Sequence, residues 1–362
     1  MTVTALPRFD ATLTRLGVVL APDGSPAEIE GVLNPAATRD RDGRLVLYPR
    51  CVAAGNVSRI GRAIGQAIGD VETFTRDGFA LEPTAEYEIR PPTRGGMGCE
   101  DARVTFVPVL DRYLMAYCAF GPLGPRIAIA VSPDAHTWER LGLADFSAPG
   151  LPAGDDKDGA FFPEPVYSPA GVLSIAFYHR PMLHISTVDG RSAIPTILAM
   201  APSERESTRI AYVPLEAVLR DVRNVLQVAE SALVLSPEGP WGRIKTGGGT
   251  PPVRIEEGWL SMFHGVDAID VDGRYFTSYS AGFVVHDLHR PHHVRYRSHA
   301  PVLIPEGREE LHGVVNNVVF PTAIDVIGER RYDVFYGMAD ARIGRVRLEL
   351  APASSAADET AA

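Results

Sequence analysis

A short stretch near residue 100 combines carboxylates, glycines and an arginine in a spacing that suits acid catalysis. Glu100 and Asp101 are adjacent in the run Gly95-Gly-Met-Gly-Cys-Glu-Asp-Ala-Arg103, and strand-like apolar residues follow at once. Glycines let a backbone turn sharply and approach a ligand closely, and Arg103 can hold one carboxylate while the other stays free to titrate. The same pattern also fits a polar turn with a surface ion pair, so the stretch alone does not define a site.

Four further polar clusters contain side chains of the kind that bind anions or sugars. They are Asn34-Pro35 with Tyr48-Pro-Arg50, Arg59 and Arg62; Asp155 to Asp158 ahead of Phe161-Phe-Pro-Glu164; Tyr178-His179-Arg180-Pro181; and Lys245-Thr-Gly-Gly-Gly-Thr-Pro-Pro252, which continues to Phe263-His264-Gly265. Three consecutive glycines after Lys245 expose backbone N–H groups to an anion. No helix pattern follows and the lysine precedes the glycines, so the stretch is not a nucleotide-binding P-loop. A smaller phosphate or a sugar fits better.

A repeated strand pattern predicts the architecture that positions these residues. A turn followed by an apolar and aromatic strand with a polar end recurs five times, in Gly43–Arg50, Asp111–Phe120, Ala170–Arg180, Glu257–Gly265 and Arg331–Asp340. Proline and glycine are spread along the whole chain, which is typical of many short strands joined by turns. We expect an all-β protein, a five-bladed β-propeller whose repeated strand ends face a central funnel. A decorated β-sandwich is the alternative.

One segment has helical spacing, and it qualifies the all-β prediction. Apolar residues recur at helical intervals over Pro214 to Ala229, with proline near the start. We predict one helical insertion at about residues 214–232, a candidate lid or oligomer contact. The predicted domains are an N-terminal extension at 1–30, a propeller catalytic domain at 31–350 and a disordered tail at 351–362.

Composition limits the classes of partner and compartment. The 362 residues carry a formal net charge of -10, which argues against nucleic acid or an anionic membrane as a partner. The three cysteines, Cys51, Cys99 and Cys118, are too widely spaced for a CxxC metal motif and indicate a reducing compartment. No apolar run has the length of a membrane span, and the N-terminus has no secretory pattern. We therefore expect a cytoplasmic protein without a metal.

Taken together, these motifs resemble glycoside hydrolase family 130, the family of β-mannoside phosphorylases and related mannosidases. The resemblance rests on Gly98-Cys-Glu-Asp-Ala-Arg103, Lys157-Asp158 before Phe162-Pro163-Glu164, His179-Arg180-Pro181, Lys245 ahead of Gly247 to Pro252, His264-Gly265 and Tyr336-Gly-Met-Ala-Asp340. It runs from about Asn34 to Val346 and implies a five-bladed propeller. Departures such as Ala102, where the family usually has proline, leave the linkage and the acceptor sugar open.

The resemblance also implies roles for individual residues. Asp101 falls on the catalytic acid, and Lys157, Arg180 and Lys245 fall on the basic positions that hold inorganic phosphate; we expect His179 beside them. The residues expected to contact the sugar or to tune the acid are Asn34, Arg50, Arg62, Glu100, Arg103, Asp158, His264 and Asp340. The implied partners are a β-mannoside and phosphate, with phosphate as co-substrate and no cofactor.

The chemistry of phosphorolysis suits this residue set. Inverting hydrolysis takes two carboxylates, whereas phosphate is already an anionic nucleophile, so one acid and a group of cations suffice. We expect α-D-mannose 1-phosphate as the product, a raised pKa for Asp101, and Arg103 directed at Glu100 or the sugar. A β-mannoside hydrolase of the same family and a non-catalytic sugar-binding propeller are the alternative hypotheses.

Overall fold

The computed structural model describes residues 9–68, 71–91, 95–185 and 192–351, and nearly all regular structure in them is β-strand. Most neighbouring strands pair antiparallel. The described strands form four sheets, which we name A to D. Sheet A has eight strands, sheets B and C have five each, and sheet D has four.

Strands are numbered along the chain. Sheet D consists of β1 (Ala11–Leu20), β20 (Val319–Gly328), β21 (Arg331–Met338) and β22 (Arg342–Leu350), in the order β1-β22-β21-β20. Sheet A consists of β2 (Gly31–Arg39), β3 (Leu45–Ala53), β4 (Val57–Ile68), β5 (Val71–Leu81), β6 (Met97–Val107), β7 (Arg112–Gly121), β8 (Gly124–Ser132) and β9 (Glu139–Leu143), in the order β2-β3-β4-β6-β7-β8-β9 with β5 beside β4.

Sheet B consists of β10 (Asp156–Phe161), β11 (Val166–Tyr167), β12 (Leu173–Pro181), β13 (Thr208–Pro214) and β14 (Glu230–Leu235), in the order β10-β12-β13-β14 with β11 beside β12. Sheet C consists of β15 (Lys245–Gly248), β16 (Val253–Ile255), β17 (Gly258–Val271), β18 (Arg274–His286) and β19 (Val294–Arg297), in the order β15-β17-β18-β19 with β16 beside β17. The helices are α1 (Ile194–Ala199), α2 (Leu215–Arg220) and α3 (Arg308–Leu311).

All five predicted repeats form strands, and they occupy equivalent places. They correspond to β3, β7, β12, β17 and β21, and each lies between an antiparallel partner on either side. The run of apolar and aromatic residues thus locates one strand with a partner on each side in every repeat, because both faces of that strand are covered. Two of these strands lie in sheet A, and sheets B, C and D contain one each.

Neighbouring sheets share buried apolar clusters, and the last sheet packs on the first. The clusters that join sheets include Leu114 with Phe177 for A and B, Tyr178 with Trp259 for B and C, Phe283 with Val334 for C and D, and Leu47 with Phe335 for D and A. Each large apolar side chain buried in this way stabilises the fold by about 1.5–3 kcal/mol. The sheets are therefore packed in the cyclic order A-B-C-D-A.

The segment predicted as an N-terminal extension contributes a strand to sheet D. β1 pairs with β22 from Ala11 opposite Leu350 to Leu20 opposite Ile343. Most β1 side chains are exposed or half-buried, so the strand lacks the apolar pattern that would have revealed it. The predicted domain boundary at residue 31 is corrected accordingly, since residues 11–20 belong to the same sheet as the last three strands.

The predicted helix over Pro214 to Ala229 is interrupted. α2 ends at Arg220, and Asp221 adopts an extended backbone with φ −154° and ψ 123°. The Asp221 carboxylate accepts the N–H of Arg223 at 2.9 Å and begins a separate 3-10 turn at Val222–Leu226. Aspartate competes in this way with helical backbone bonds. The segment is a short connection between β13 and β14 rather than a single helical insertion.

The last described residue lies beside the start of the described chain. Ala351 donates its N–H to the carbonyl of Asp10 at 2.9 Å, and the rest of the predicted tail lies outside the described residues. No helix in the described part of the chain has the length and apolar character needed to cross a membrane.

Candidate active site

Three strands reach the centre of the molecule through the same local irregularity. Asn34 in β2, Asp101 in β6 and Asp158 in β10 have left-handed backbones, with φ of 42°, 49° and 63°. Each lies where the pairing register with the next strand shifts. Such a β-bulge redirects a side chain, and asparagine and aspartate tolerate the left-handed conformation better than other non-glycine residues. The three polar side chains are thereby turned into one cavity.

The cavity encloses about 200 Å³ and is lined mainly by charged and polar groups. Its lining consists of the cations Arg50, Lys157, Arg180 and Lys245, the acids Asp101, Asp158 and Asp340, the polar residues Asn34, His264 and Tyr279, and the apolar residues Met182, Val315, Val318 and Phe320. Sequence positions from 34 to 340 therefore meet at one place. A small, polar, partly enclosed cavity suits a sugar or a phosphate better than an apolar ligand.

Asp101 is held through one of its two carboxylate oxygens. Asn34 Nδ2 donates to Oδ1 at 2.9 Å, and Arg50 Nη1 lies 3.3 Å from the same atom. Burial alone would raise the pKa of Asp101, but the positive charges of Arg50, Lys157 and Arg103 outweigh it, so the pKa is lowered. The expected rise in the pKa of Asp101 is therefore wrong. The pKa is lowered instead, so Asp101 is ionised at neutral pH.

The carboxyl group with a raised pKa is Asp340, in the turn after β21. Burial, and next the negative charge of Asp101, raise the pKa of Asp340 to about 6, although Arg50 and Lys157 oppose the shift. Two acids in one cavity thus differ in proton affinity. Asp101 is the ionised one, and Asp340 takes up a proton near pH 6.

The three predicted phosphate-binding cations all line the cavity, but they differ in how far their charge is neutralised. Arg180 Nε lies 2.6 Å from Asp158 Oδ2, and a second arm of its guanidinium pairs with Glu206. Lys157 Nζ lies 3.5 Å from Glu100 Oε2. Among the described residues no carboxylate lies within 4.0 Å of the Lys245 ammonium, which faces the ring of Tyr279 at 5.3 Å. Lys245 therefore has the least compensated charge.

His264 forms part of the cavity wall without any hydrogen-bond partner among the described residues. Both ring nitrogens are buried and unbonded. Burial, which the negative charge of Asp158 only partly offsets, lowers the pKa of His264 to about 3, so the ring is neutral. A buried polar group without a partner is costly unless a ligand satisfies it. His264 thus offers one donor and one acceptor to whatever occupies the cavity.

Glu100 and Arg103 lie beneath the cavity rather than in its lining. Glu100 is buried and accepts from Arg50 Nη2 at 2.9 Å. Arg103 is 1% exposed and donates to the carbonyl oxygens of Asp101, Gly248 and Gly249. The expectation that these residues touch the sugar, or that Arg103 faces Glu100, is corrected. They support Arg50 and the backbone of Asp101 from below.

Two other predicted site residues lie away from the cavity. Arg62 Nε donates to Asp77 Oδ2 at 2.8 Å, in the hairpin of β4 and β5, and Arg62 Nη1 donates to the carbonyl of His136. His179 is fully buried, with Nδ1 2.7 Å from Asp156 Oδ2 and Nε2 2.7 Å from Ser231 Oγ. Successive residues on a strand point to opposite faces, so Arg180 faces the cavity while His179 does not.

The glycine run after Lys245 allows close packing and does not form an anion-binding loop. Gly247 and Gly248 pair with His264 and Phe263 in β17. A Cβ on Gly247 would lie 2.2 Å from Asp158 Oδ2 and from His264 Cε1, distances that no side chain tolerates. The prediction that these glycines present free N–H groups to an anion is therefore corrected. Their lack of side chains lets β15 approach β10 and β17.

Sequence reasoning missed several groups that line or brace the cavity. Tyr279 lies in β18 with no distinguishing neighbour in the sequence, and Met182 directly follows the Arg180-Pro181 pair. Glu206, which pairs with Arg180, precedes β13 with no local signal of a role. Phe320 lies in β20, and its ring packs on His264 at 4.5 Å between ring centroids.

Comparisons with known proteins agree with the fold and with the motif pattern. The family model described as β-1,4-mannooligosaccharide phosphorylase matches residues 212–351. A β-1,4-mannooligosaccharide phosphorylase of Ruminococcus albus is 35% identical over 257 residues, which cover 71% of this chain and 64% of that protein. These matches support membership of glycoside hydrolase family 130. The family model covers β14, all of sheet C and the last three strands of sheet D.

Two further relatives extend the comparison. A 1,2-β-oligomannan phosphorylase of Thermoanaerobacter is 27% identical over 333 residues, covering 89% of this chain and 91% of that protein. The solved structure of β-1,2-mannobiose phosphorylase from Listeria innocua with β-1,2-mannobiose superposes with a TM-score of 0.67 at 22% identity, over 92% of this chain and 96% of that one. At that identity the structural likeness concerns the fold.

Proposed function

We propose that this protein is an inverting β-mannoside phosphorylase, which transfers a mannosyl group to inorganic phosphate and yields α-D-mannose 1-phosphate. The observation that carries the proposal is the shared cavity of Asp101 with Lys157, Arg180 and Lys245. One carboxylate and several cations are what an anionic nucleophile requires. The relatives named as mannoside phosphorylases support the same reaction class.

In the proposed reaction, phosphate binds against the cations and attacks the anomeric carbon. Lys245 is the first candidate contact, because its charge is free of carboxylate partners among the described residues. Arg180 remains positively charged while it holds Asp158 and Glu206, and its position is fixed by them. A phosphate oxygen forms the new bond to carbon, and the bond from that carbon to the leaving sugar oxygen breaks with inversion.

Asp101 is the proposed acid, and the binding of phosphate prepares it. The positive charges of Arg50, Lys157 and Arg103 outweigh burial and lower the pKa of Asp101, and Lys157 is also a proposed phosphate contact. A bound anion adds negative charge nearby and therefore raises the pKa of the carboxyl group. Because the bonds from Asn34 and Arg50 reach Oδ1, Oδ2 is available to carry the proton. That proton passes to the leaving oxygen, directly or through a sugar hydroxyl.

Hydrolysis with water as the nucleophile is the alternative function. It needs a second carboxylate to activate water on the opposite face of the sugar. The acidic groups nearest Arg180, namely Asp158 and Glu206, are already engaged with its guanidinium. Asp340 is the remaining carboxyl group of the cavity, so the case for phosphorolysis rests on Lys157, Arg180 and Lys245, the cations that an anionic nucleophile needs and water does not. A sugar-binding protein without catalysis would have no need for an acid next to uncompensated positive charge.

We also propose that the fold is a five-bladed β-propeller, with two blades joined in sheet A. β4 and β6 pair in parallel at only two positions, Val57 with Met97 and Ser58 with Gly98. An apolar cluster that includes Ile60 and Met115 packs the two halves of sheet A on each other. The cyclic packing of the sheets supports this count, as does the presence of two repeat strands in sheet A.

The proposed substrate class is a β-linked mannoside with a sugar at the acceptor side, and the proposed location is cytoplasmic. All three cysteines are free and buried, which suits a reducing compartment. No cofactor is required by the mechanism, since phosphate is the co-substrate. The linkage, β-1,2 or β-1,4, is to be assigned by assay with both mannobioses.

The experiment that tests the proposal compares cleavage of these mannobioses with and without inorganic phosphate. We expect release of mannose 1-phosphate that rises with phosphate concentration and saturates. Mannose release at the same rate in phosphate-free buffer would support the hydrolase instead. Binding of mannobiose without any cleavage would support the non-catalytic alternative and contradict the proposal.

A further inference from the structure

A continuous line of hydrogen-bonded side chains crosses sheet B outside the cavity. It takes one residue from each of four neighbouring strands: Asp156 in β10, His179 in β12, Arg209 in β13 and Ser231 in β14. Arg209 Nε donates to Ser231 Oγ at 2.9 Å, and Ser231 Oγ lies 2.7 Å from His179 Nε2. His179 Nδ1 lies 2.7 Å from Asp156 Oδ2. We call this set the sheet B relay.

The side chains of the sheet B relay can form all three hydrogen bonds at once, with a donor facing an acceptor in each. The Ser231 oxygen already accepts from Arg209, so its own O–H is free to donate to His179 Nε2. A proton on His179 Nδ1 is then donated to the carboxylate of Asp156. Every group has a partner, and removing the serine hydroxyl would leave a buried acceptor on His179 unsatisfied.

The relay ends on the backbone of a residue that lines the cavity. The second oxygen of Asp156, Oδ1, accepts the N–H of Arg180 at 2.9 Å. Lys157, which follows Asp156 in the chain, is paired with Arg180 across the two strands. The carboxylate therefore fixes the place where two of the three cations enter the cavity. The ring of His179 is held from the side by Phe146, at 4.7 Å between centroids.

The arrangement of serine, histidine and aspartate is also that of a hydrolytic triad, but its burial argues against that role. His179 is fully buried, and neither it nor Ser231 lines the cavity. A nucleophile needs space for a substrate beside it. The contacts lead instead towards Arg180.

We propose that Ser231 and His179 are positioning residues, which act through Asp156 to fix Arg180 and Lys157 for binding phosphate. The proposal rests on the proposed phosphorylase function. It assigns to the outer strand β14 a role in affinity for the anion, although no β14 side chain reaches the cavity. The predicted sugar contacts Asn34, Arg50, His264 and Asp340 lie outside sheet B, so affinity for the sugar is expected to be largely independent of the relay.

Two variants at one position isolate the serine hydroxyl. Ser231→Thr keeps the hydroxyl and Ser231→Val replaces it with a methyl group, so the pair differs little in shape, and both residues favour strands. We expect the valine variant to raise the KM for phosphate about fivefold to twentyfold, as for loss of a buried hydrogen-bond partner. Its kcat and its KM for mannobiose should stay within about twofold, and the threonine variant should behave as the wild type.

A control variant removes a buried hydroxyl elsewhere in the same sheet. Ser174 lies in β12 near the end remote from Arg180, and its hydroxyl bonds only the carbonyl of Val172. Ser174→Ala should lower the melting temperature without a selective change in the KM for phosphate. Phosphate-induced stabilisation, measured as a shift in melting temperature, gives a second readout of phosphate affinity that does not need turnover.

The outcomes separate this inference from the proposed function. A wild-type enzyme that does not use phosphate would refute the phosphorylase proposal itself. A phosphate-dependent wild type with equal KM values for the threonine and valine variants would overturn only the positioning role. Equal rises in both KM values, or the same phosphate effect in Ser174→Ala, would also overturn it.

Discussion

Lys245 offers the cleanest test of the proposed phosphate site. Its ammonium has no carboxylate partner within 4.0 Å among the described residues, and it contacts the Tyr279 ring at 5.3 Å. Arg180 is a less suitable target, because its removal would leave Asp158 and Glu206 unpaired in the interior. Breaking a buried pair in that way destabilises the fold strongly. We therefore choose Lys245→Met, which keeps the length of the side chain and removes its charge.

The magnitude follows from the kind of contact that is lost. A hydrogen bond to a charged group contributes about 1.5–3 kcal/mol net, and each 1.4 kcal/mol is a tenfold change in affinity. The KM for phosphate should therefore rise about tenfold to 150-fold. The KM for mannobiose should change less than about threefold. The free energy of unfolding should change little, since no ion pair to a described carboxylate is broken.

The assay is phosphorolysis of the mannobiose that the wild type cleaves, with each substrate varied in turn. Lys245→Arg, which keeps the positive charge, should retain more phosphate affinity than Lys245→Met. Arg220→Gln provides the matched loss of one positive charge at the surface, because that side chain is 67% exposed on α2. This control should leave both KM values unchanged, which shows that any effect is local.

Two results would refute the reasoning. A KM for phosphate that is unchanged in Lys245→Met would remove this lysine from the phosphate site. Equal increases in the KM for phosphate and for mannobiose would mean that the variant disturbs the whole cavity. The first result would leave Arg180 and Lys157 as the predicted cations that contact phosphate, and the second would mean that Lys245 has no selective role in binding it.

Three further predictions concern the acids and the glycine run. Asp101→Asn should lower kcat about 10²- to 10⁴-fold, the contribution expected of a general acid, while phosphate still raises the melting temperature; retained turnover would disprove the acid role. Asp340 has a pKa raised to about 6 from 3.8, so its contribution to stability is full below about pH 4 and is lost as pH rises through 6. Asp340→Asn should therefore stabilise the protein by up to about 3 kcal/mol at pH 8 but not at pH 4, in urea unfolding at both pH values. An equal effect at both would contradict the shift. Gly247→Ala should cost about 1–3 kcal/mol of stability and weaken phosphate binding, because its Cβ would displace Asp158, whereas Gly328→Ala, with no atom nearer than 3.9 Å, should do neither.

The strands and the cavity's main charges were predictable because their signals are local. The apolar and aromatic run in Arg331–Asp340, for example, follows from one strand whose two faces are both covered. Asp101, Lys157, Arg180 and Lys245 are brought to one cavity as the motifs indicated. The division into four sheets was not predictable, because the link of β4 to β6 depends on two backbone pairs between distant segments.

Other differences arise from contacts that no single stretch contains. The His179-Arg180 pair looked like one basic group, although the alternation of a strand already places the two side chains on opposite faces. The glycines at 247 and 248 matched an anion-binding loop. At position 247, however, glycine is required because Asp158 and His264 occupy the space that a side chain would need. The proton affinities of Asp101 and Asp340 depend on Arg50 and Lys157, which only the folded chain brings near.

The most direct test of the central claim is the identity of the product formed from mannobiose in phosphate buffer, followed by ³¹P NMR. The account predicts one α-mannosyl phosphate for every glycosidic bond cleaved, with inorganic phosphate consumed in equal amount. Cleavage to free mannose with the inorganic phosphate signal unchanged would contradict it.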